Sequence, residues 1–112
     1  MSDAAALYDQ ADKLKDAGQL DEAAAKLKEA LNSDSGYSLA HSALAVVLQK
    51  LGQHEEAIKH AVKVCELEPN DAFSYTALSV TYQRAFAGTN NQQYIRMAED
   101  AMERSRMMQS RR

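Results

Sequence analysis

The sequence predicts an all-α protein in which antiparallel helix pairs stack on one another. Residues 18–23 (GQLDEA) recur as residues 52–57 (GQHEEA), so the two copies are offset by 34 residues. A fixed period of this length indicates that one helix-pair unit has been copied along the chain. The chain has only one proline and four glycines and lacks sustained alternation of apolar and polar residues, which argues against β-structure. We therefore expect residues 1–112 to form a single repeat domain.

The first pair is predicted as two helices joined by a glycine. Its first helix covers about residues 2–17, and either Ser2 or Asp3 can accept a hydrogen bond from the first turn. Gly18 ends this helix, because glycine adopts the left-handed conformation at low cost. The second helix covers about residues 20–32 and runs into a polar turn of sequence NSDSG.

The second pair follows the same plan. Its first helix covers about residues 37–51 and is ended by Gly52, and its second helix covers about residues 54–67. Residues 68–71 (EPND) then break the chain direction, because Pro69 has no backbone N–H and cannot extend the helix.

The third pair is irregular. Asn70 or Asp71 can cap its first helix, which we expect over about residues 71–85. Residues 87–91 (AGTNN) are predicted as a loop, and the sixth helix is predicted from about residue 92 to near the end of the sequence. This pair lacks the turn glycine at the expected place and has about seven additional residues before its second helix.

This pattern resembles the tetratricopeptide repeat (TPR), a 34-residue antiparallel helix pair in which small residues lie where helices cross and large residues fill the adjacent layer. The matching positions are Leu7, Gln10, Ala11, Leu14, Ala23, Leu27 and Ala30, then His41, Leu44, Ala45, Leu48, Ala57, Ala61, Val64 and Pro69, then Tyr75, Leu78, Ser79, Tyr82, Ala98, Met102 and Ser105. Gln10 departs from the pattern, because the family has an apolar residue there. The resemblance places repeats at about 4–36, 37–70 and 71–112 and implies an α-α superhelix, a short right-handed solenoid of three pairs.

In this family the first helices of successive pairs line a concave groove that holds a segment of a partner protein. Helical spacing on the three first helices gives the predicted groove residues Tyr8, Asp12, Lys15, Leu39, Ser42, Val46, Gln49, Lys50, Phe73, Thr76, Val80, Gln83 and Arg84. An apolar floor with cations at one end suits a partner that has apolar anchors and an acidic group. The alternative is that the apolar residues pack between helices and the cations are solvated.

Some members of the family hold the C-terminal carboxylates of heat-shock chaperones with a clamp of two lysines, two asparagines and one arginine. The matching positions here are Tyr8, Asp12, Ala43, Phe73 and Ala77. None of them carries the clamp residue, and the Asp12 carboxylate would repel another carboxylate. We therefore expect no chaperone-tail clamp in this chain.

The sixth helix is a second candidate interface, because it contains four of the five methionines. Met97, Met102 and Met108 lie on one stripe of this helix, and methionine adapts to shared or irregular surfaces. The stripe predicts either a self-assembling structural protein or an ordinary terminal helix, so the expected state is a monomer or a weak homodimer.

Charge and composition exclude several classes of partner. The net charge is −3 and the isoelectric point is near 5.5, so we expect no nucleic-acid partner. The N-terminal sequence lacks the features of a secretion signal, and no stretch approaches the length of a membrane span. A cytoplasmic protein with a protein or peptide partner is the expectation.

Catalytic chemistry is not expected either. His54 and His60 are six residues apart on one helix, so they do not share a face as metal ligands would, and His41 occupies a packing position. Cys65 is the single cysteine and occupies an apolar helix position, which favours a buried and unreactive thiol. No glycine-rich phosphate loop is present. We expect a protein that is not an enzyme and that needs no cofactor or metal.

Overall fold

The structure, a computed structural model, describes residues 3–110. This part of the chain contains no β-strand and forms six helices: α1 (Ala4–Asp16), α2 (Leu20–Ser33), α3 (Ser38–Lys50), α4 (His54–Leu67), α5 (Ala72–Thr89) and α6 (Gln93–Ser110). The predicted all-α class is confirmed. Ser2, one of the two predicted N-caps, lies outside the described residues, as does the end of the third predicted repeat at residues 111–112.

The helices pack in the order of a repeat solenoid. Each successive pair, α1 with α2, α3 with α4 and α5 with α6, packs along its length, whereas α2 against α3 and α4 against α5 join one pair to the next. The first helices also touch, because α3 contacts both α1 and α5. Stacking of this kind places α1, α3 and α5 side by side in one layer. The resulting body measures 41 × 34 × 20 Å.

Small residues allow the helices of each pair to approach closely. Ala23, Ala57 and Ser79 are completely buried, as the predicted crossing positions require. Large residues such as Leu27 and Leu48 fill the layer beside them and are also buried. Two apolar clusters result. One lies within the first two pairs and the other lies between the second and third pairs.

Two glycines end the first helices of the first two pairs in the same way. Gly18 and Gly52 have φ angles of 82° and 80°, the left-handed conformation that glycine adopts readily. The following backbone N–H groups close each helix end, since Gln19 donates to the carbonyl of Leu14 at 2.8 Å and the equivalent bond in α3 has the same length. The predicted glycine stops are confirmed.

The third pair differs from the prediction, because α5 is longer than expected. Residues 87–89, which we predicted as part of a loop, belong to the last turn of α5. Phe86 occupies the position equivalent to Gly52, so the chain has no residue there that favours a left-handed turn, and the helix continues. It ends instead at Asn90, whose φ of 61° places it in the left-handed region that asparagine tolerates.

Aspartate caps begin the first helices of the first and third pairs. Asp3 accepts a hydrogen bond from the backbone N–H of Ala5 at 3.2 Å, and Asp71 accepts one from the N–H of Phe73 at 3.0 Å. Each bond satisfies an N–H group that lacks an intrahelical partner. Between the two alternatives for α5, the cap is Asp71 and not Asn70.

Candidate functional site

The first helices of the second and third pairs, α3 and α5, flank an open groove of about 660 Å³, which we call the α3–α5 groove. The second helix of the middle pair, α4, supplies the buried residues Ala61 and Val64 to its floor. The other lining residues are Ser38, Leu39, Ser42, Ala45, Val46, Gln49, Lys50, Glu68, Asp71, Phe73, Ser74, Ala77, Val80, Thr81 and Arg84. Eight of these positions are among the predicted groove residues, and the structure brings them together.

Large apolar side chains are exposed in the groove. Leu39 and Phe73 occupy equivalent positions 34 residues apart, and their side chains are 55% and 76% exposed. Val46 and Val80 form a second equivalent pair and are 42% and 40% exposed. These exposures favour a surface role over packing between helices, because a side chain that is mainly in water contributes little to the core.

The charged residues of the groove are separated by sign. Lys50 lies at the end of α3 and Arg84 lies at the equivalent position of α5, and neither makes an ion pair with any residue in 3–110. Glu68 and Asp71 lie at the other end, where the chain turns from α4 into α5. Ser38 Oγ donates a hydrogen bond to Glu68 at 2.9 Å, so that carboxylate already has a partner.

Three predicted groove residues on α1 lie elsewhere. Tyr8, Asp12 and Lys15 line a narrow crevice between α1 and α3 that is separate from the α3–α5 groove. The Lys15 ammonium lies 3.5 Å from the Asp12 carboxylate, so this cation is paired within its own helix. The Tyr8 ring packs against the ring of Tyr37 with centroids 5.9 Å apart. The first pair therefore contributes no free cation from this set.

Two predicted groove residues on α5 are turned towards α6. The Thr76 hydroxyl lies 2.7 Å from the hydroxyl of Ser105. The Gln83 amide donates to Ser79 Oγ at 3.2 Å, and Gln83 lines a different depression, between α5 and α6. Neither residue lines the α3–α5 groove.

The predicted second interface on α6 is divided between core and surface. Ala98, Ala101 and Ser105 are buried in α6, and Ser105 Oγ donates to a backbone carbonyl of α5. Met102 and Met108 are half-buried at the edge of this face, whereas Met97 is exposed. Part of the methionine stripe therefore covers the third pair, and the rest remains accessible.

Several groove residues were not predicted from the sequence. The sequence around Glu68 and Asp71 predicts only the end of one helix and the cap of the next. Neither prediction indicates that the two residues also form one end of a groove. Ala61 and Val64 were assigned to packing, and they are buried as expected while also lining the floor. Ala61 and Val64 lie where α4 crosses the neighbouring first helices, and this position could have been used to predict the floor of the groove.

Cys65 and the histidines lie outside the groove. Burial raises the pKa of the Cys65 thiol to about 11, and its Sγ–H group donates to the Ser74 carbonyl at 3.4 Å. His41 is buried and packs against His60. Within residues 3–110, no cluster of three or more His, Cys, Asp or Glu side chains has the arrangement of a metal site. No helix in the same range is long and apolar enough to cross a membrane.

Several solved structures have the same fold and are at most 21% identical to this chain. The crystal structure of MamA matches 97% of the chain with a TM-score of 0.82 at 17% identity, and the chain spans 60% of MamA. The crystal structure of YrrB, described as a TPR protein with an unusual peptide-binding site, matches 92% with a TM-score of 0.74 at 21% identity, and the chain spans 52% of it.

A third similar structure is the first TPR of Spaghetti (RPAP3), bound to the HSP90 peptide SRMEEVD. It matches 96% of the chain with a TM-score of 0.63 at 14% identity, and the chain spans 93% of that structure. No curated protein is significantly similar in sequence to this chain. The tetratricopeptide repeat model matches residues 14–78, which is more than half of the chain. The chain therefore belongs to the tetratricopeptide repeat family.

Proposed function

We propose that this chain is a protein-interaction module that binds an apolar segment of a partner protein in the α3–α5 groove. The observation that carries the proposal is the exposure of Leu39 and Val46 on α3 and of Phe73 and Val80 on α5, all of which line one groove. Exposed apolar residues that cluster in a groove are typical of protein-binding surfaces, whereas isolated ones are common on any protein.

Phe73 is the strongest candidate for an anchor of binding. Its side chain is 76% exposed, so the fold gains little from it. Burying an apolar side chain of this kind contributes about 1.5–3 kcal/mol, and a few buried aromatic residues commonly dominate the affinity of an interface. A partner that covers Phe73 would also cover Val80, which lies two turns along the same helix.

In this proposal the positive charges of Lys50 and Arg84 favour partners that carry an acidic group. Both cations lie in the groove, and neither is neutralised by another described residue. An acidic partner would be attracted to this end, with an effect on association rate and on specificity that weakens as salt is added. The peptide-binding relatives YrrB and RPAP3 support a peptide or protein partner in general terms. A cytoplasmic adaptor or scaffold is the setting that we propose.

Affinity capture with matched variants tests this proposal. The wild-type chain, the groove variant Phe73→Ala/Arg84→Ala and the control Met107→Ala/Arg106→Ala would be used to capture proteins from a native lysate. The control removes one exposed apolar residue and one cation from α6, outside the groove. We expect partners that the wild type and the control retain and the groove variant loses. Equal retention by both variants would exclude the groove as the binding site.

The exposed part of α6 supports a second candidate function, self-assembly as a structural protein. Ile95 and Met97 are 38% and 43% exposed, and Met102 and Met108 on the same helix are partly accessible. Light scattering across a dilution series separates the two functions. A self-assembling protein increases in mass with concentration, and Met97→Lys should prevent the increase, whereas an adaptor stays monomeric at every concentration.

A further inference from the structure

We propose that the occupant of the α3–α5 groove is an amphipathic helix whose acidic first turn lies over Lys50 and Arg84. The inference rests on the function proposed above and adds two properties of the partner, its backbone conformation and the position of its charge. Both properties follow from the order of side chains along the groove and from the hydrogen-bonding groups that the groove offers.

Equivalent residues of α3 and α5 line the groove at three levels. The equivalent pairs are Leu39 and Phe73, Val46 and Val80, and Lys50 and Arg84. The first and third levels are 11 residues apart on each helix, a distance of about 16 Å. A partner helix of about three turns has this length. Its apolar positions at i, i+3, i+4 and i+7 would contact the first two levels.

The middle of the groove favours a helix over an extended chain. Its surface there includes the methyl groups of Ala45 and Ala77, and its polar side chains are few. The Thr81 hydroxyl donates to the Ala77 carbonyl at 3.0 Å, so it can only accept from a partner's backbone, and the other polar side chains there are mainly Ser42 and Gln49. An extended segment would bury backbone N–H and C=O groups without enough partners, whereas a helix satisfies these groups internally.

The free cations define where the acidic residues of the partner lie. Lys50 and Arg84 have no described ion-pair partner, so they can bind carboxylates without breaking an existing contact. The carboxylates at the other end are already engaged, because Glu68 accepts a hydrogen bond from Ser38 and Asp71 caps α5. Charge complementarity therefore places an acidic group of the partner at the end formed by Lys50 and Arg84.

The direction of the partner helix follows from the end of α3. This helix ends at Lys50, so the partial negative charge of its dipole lies at the cationic end of the groove. A partner helix that begins there brings partial positive charge from its N–H groups together with carboxylates in its first turn. Acidic residues are stabilising in a first turn, as Asp21 and Glu22 are in α2. The partner is therefore antiparallel to α3.

The first pair does not continue the groove. The positions of α1 that are equivalent to Leu39, Val46 and Lys50 are Ala5, Asp12 and Asp16. Carboxylates at two of the three levels would repel an acidic helix, so the valley between α1 and α3 does not offer a second site. One helix per chain is the expected stoichiometry.

A fluorescence anisotropy titration with three labelled synthetic peptides of about 14 residues tests the inference. The first peptide has an acidic first turn and leucines on one helical face. The second is identical except for a central proline, which prevents a continuous helix. The third has glutamines in place of the acidic residues. Each is titrated with the wild type, with Lys50→Ala/Arg84→Ala and with the equally charged control Lys59→Ala/Lys63→Ala on α4, whose two lysines are exposed and lie outside the groove.

We expect the acidic helical peptide to bind the wild type and the control equally and to bind Lys50→Ala/Arg84→Ala about tenfold more weakly. The proline and glutamine peptides should bind the wild type at least about tenfold more weakly than the acidic helical peptide. Equal binding of the proline peptide would overturn the helical conformation, and equal binding of the glutamine peptide would overturn the acidic turn. Absence of binding by the acidic helical peptide would overturn both.

Phe73→Ala in the same titrations separates this inference from the proposed function. The proline or glutamine peptide could bind with the same affinity as the acidic helical peptide, and Phe73→Ala could remove that binding. The groove would then be a binding site, but for a different kind of occupant. If peptides bind and Phe73→Ala has no effect on any of them, their binding site is outside the groove, which contradicts both proposals.

Discussion

His41 Nδ1 and His60 Nδ1 lie 2.9 Å apart, so the first and second helices of the middle pair are joined by a hydrogen bond between two imidazole rings. His41 Nε2 lies 2.9 Å from the carbonyl oxygen of Ser35, which can only accept, so Nε2 carries a hydrogen. With its hydrogen on Nε2, the His41 ring accepts at Nδ1, and His60 Nδ1 donates. The family pattern indicated that His41 packs at this position, but it did not indicate a partner ring.

The first prediction concerns stability and pH. Burial lowers the pKa of His60, the neighbouring His41 lowers it further, and Lys28 adds to this effect, while Glu56 partly opposes it. The folded chain therefore binds fewer protons than the unfolded chain at pH values between the lowered pKa and 6.5, so stability falls as the pH falls through this window. Urea unfolding between about pH 7.5 and 5.5 should show this loss, and His60→Phe should reduce it. An unchanged slope in His60→Phe would contradict the assignment.

The second prediction concerns the reactivity of Cys65. A pKa of about 11, against 9.0 for the free thiol, lowers the thiolate fraction about 100-fold at neutral pH. The thiol is also buried. Iodoacetamide should therefore modify the native chain at least about 100-fold more slowly than the urea-unfolded chain. Intact-mass spectrometry measures both rates, and native modification at a rate close to that of the unfolded chain would show that the thiol is accessible.

The third prediction concerns the glycine turns. Gly18→Ala should destabilise the chain by about 1–2 kcal/mol, because the φ of 82° places a Cβ too close to the backbone. Gly36→Ala is the matched control. Gly36 is exposed and does not have a positive φ, and an added Cβ there would meet only the Asp34 carboxylate at 3.9 Å. Thermal unfolding of both variants measures the difference, and equal effects would contradict the assigned turn conformation.

The fourth prediction concerns the contact between Gly88 and His54. Gly88 lies in the last turn of α5, and a Cβ added there would clash with the imidazole of His54. Glycine-to-alanine changes inside helices usually stabilise by about 0.5–1 kcal/mol. We expect Gly88→Ala alone to destabilise the chain and the same change to stabilise it when His54→Ala is also present. A double-mutant cycle measures this coupling, and additive effects would exclude the contact.

The fifth prediction separates folding from binding at Phe73. Because this side chain is largely exposed, Phe73→Ala should leave the melting temperature within about 2 °C of the wild type while weakening partner binding. Leu44→Ala is the contrasting variant. Leu44 is completely buried, and its truncation should cost about 2–5 kcal/mol. A large drop in melting temperature for Phe73→Ala would show that the residue belongs to the core.

The regular part of the fold was predictable because its determinants are local. Gly18 and Gly52 specify turns through their own conformational freedom, and Ala23 and Ala57 specify close helix crossings through their size. The length of α5 was not predictable from these rules. Its end depends on Asn90, which tolerates the left-handed conformation less readily than glycine and so gives a weaker sequence signal.

The groove was predictable only in part, because equivalent positions in the three repeats have different neighbours. Tyr8, Ser42 and Thr76 are separated by 34 residues, and Tyr8 faces the following first helix, α3. Ser42 likewise lines the groove that α3 forms with the next first helix, α5. No first helix follows α5 within residues 3–110, so Thr76 is bonded to α6 instead. Helical spacing gives the direction of a side chain but not the identity of what it meets.

Site-specific photo-crosslinking tests the central claim most directly. A photoreactive phenylalanine analogue would replace Phe73 in the groove and, in a separate control, Met107 of α6, which is also exposed and does not line the groove. After irradiation in a native lysate, mass spectrometry would identify the attached proteins. We expect a specific partner attached at position 73 and absent at position 107. Attachment of the same proteins at both positions, or at 107 alone, would contradict binding in the α3–α5 groove.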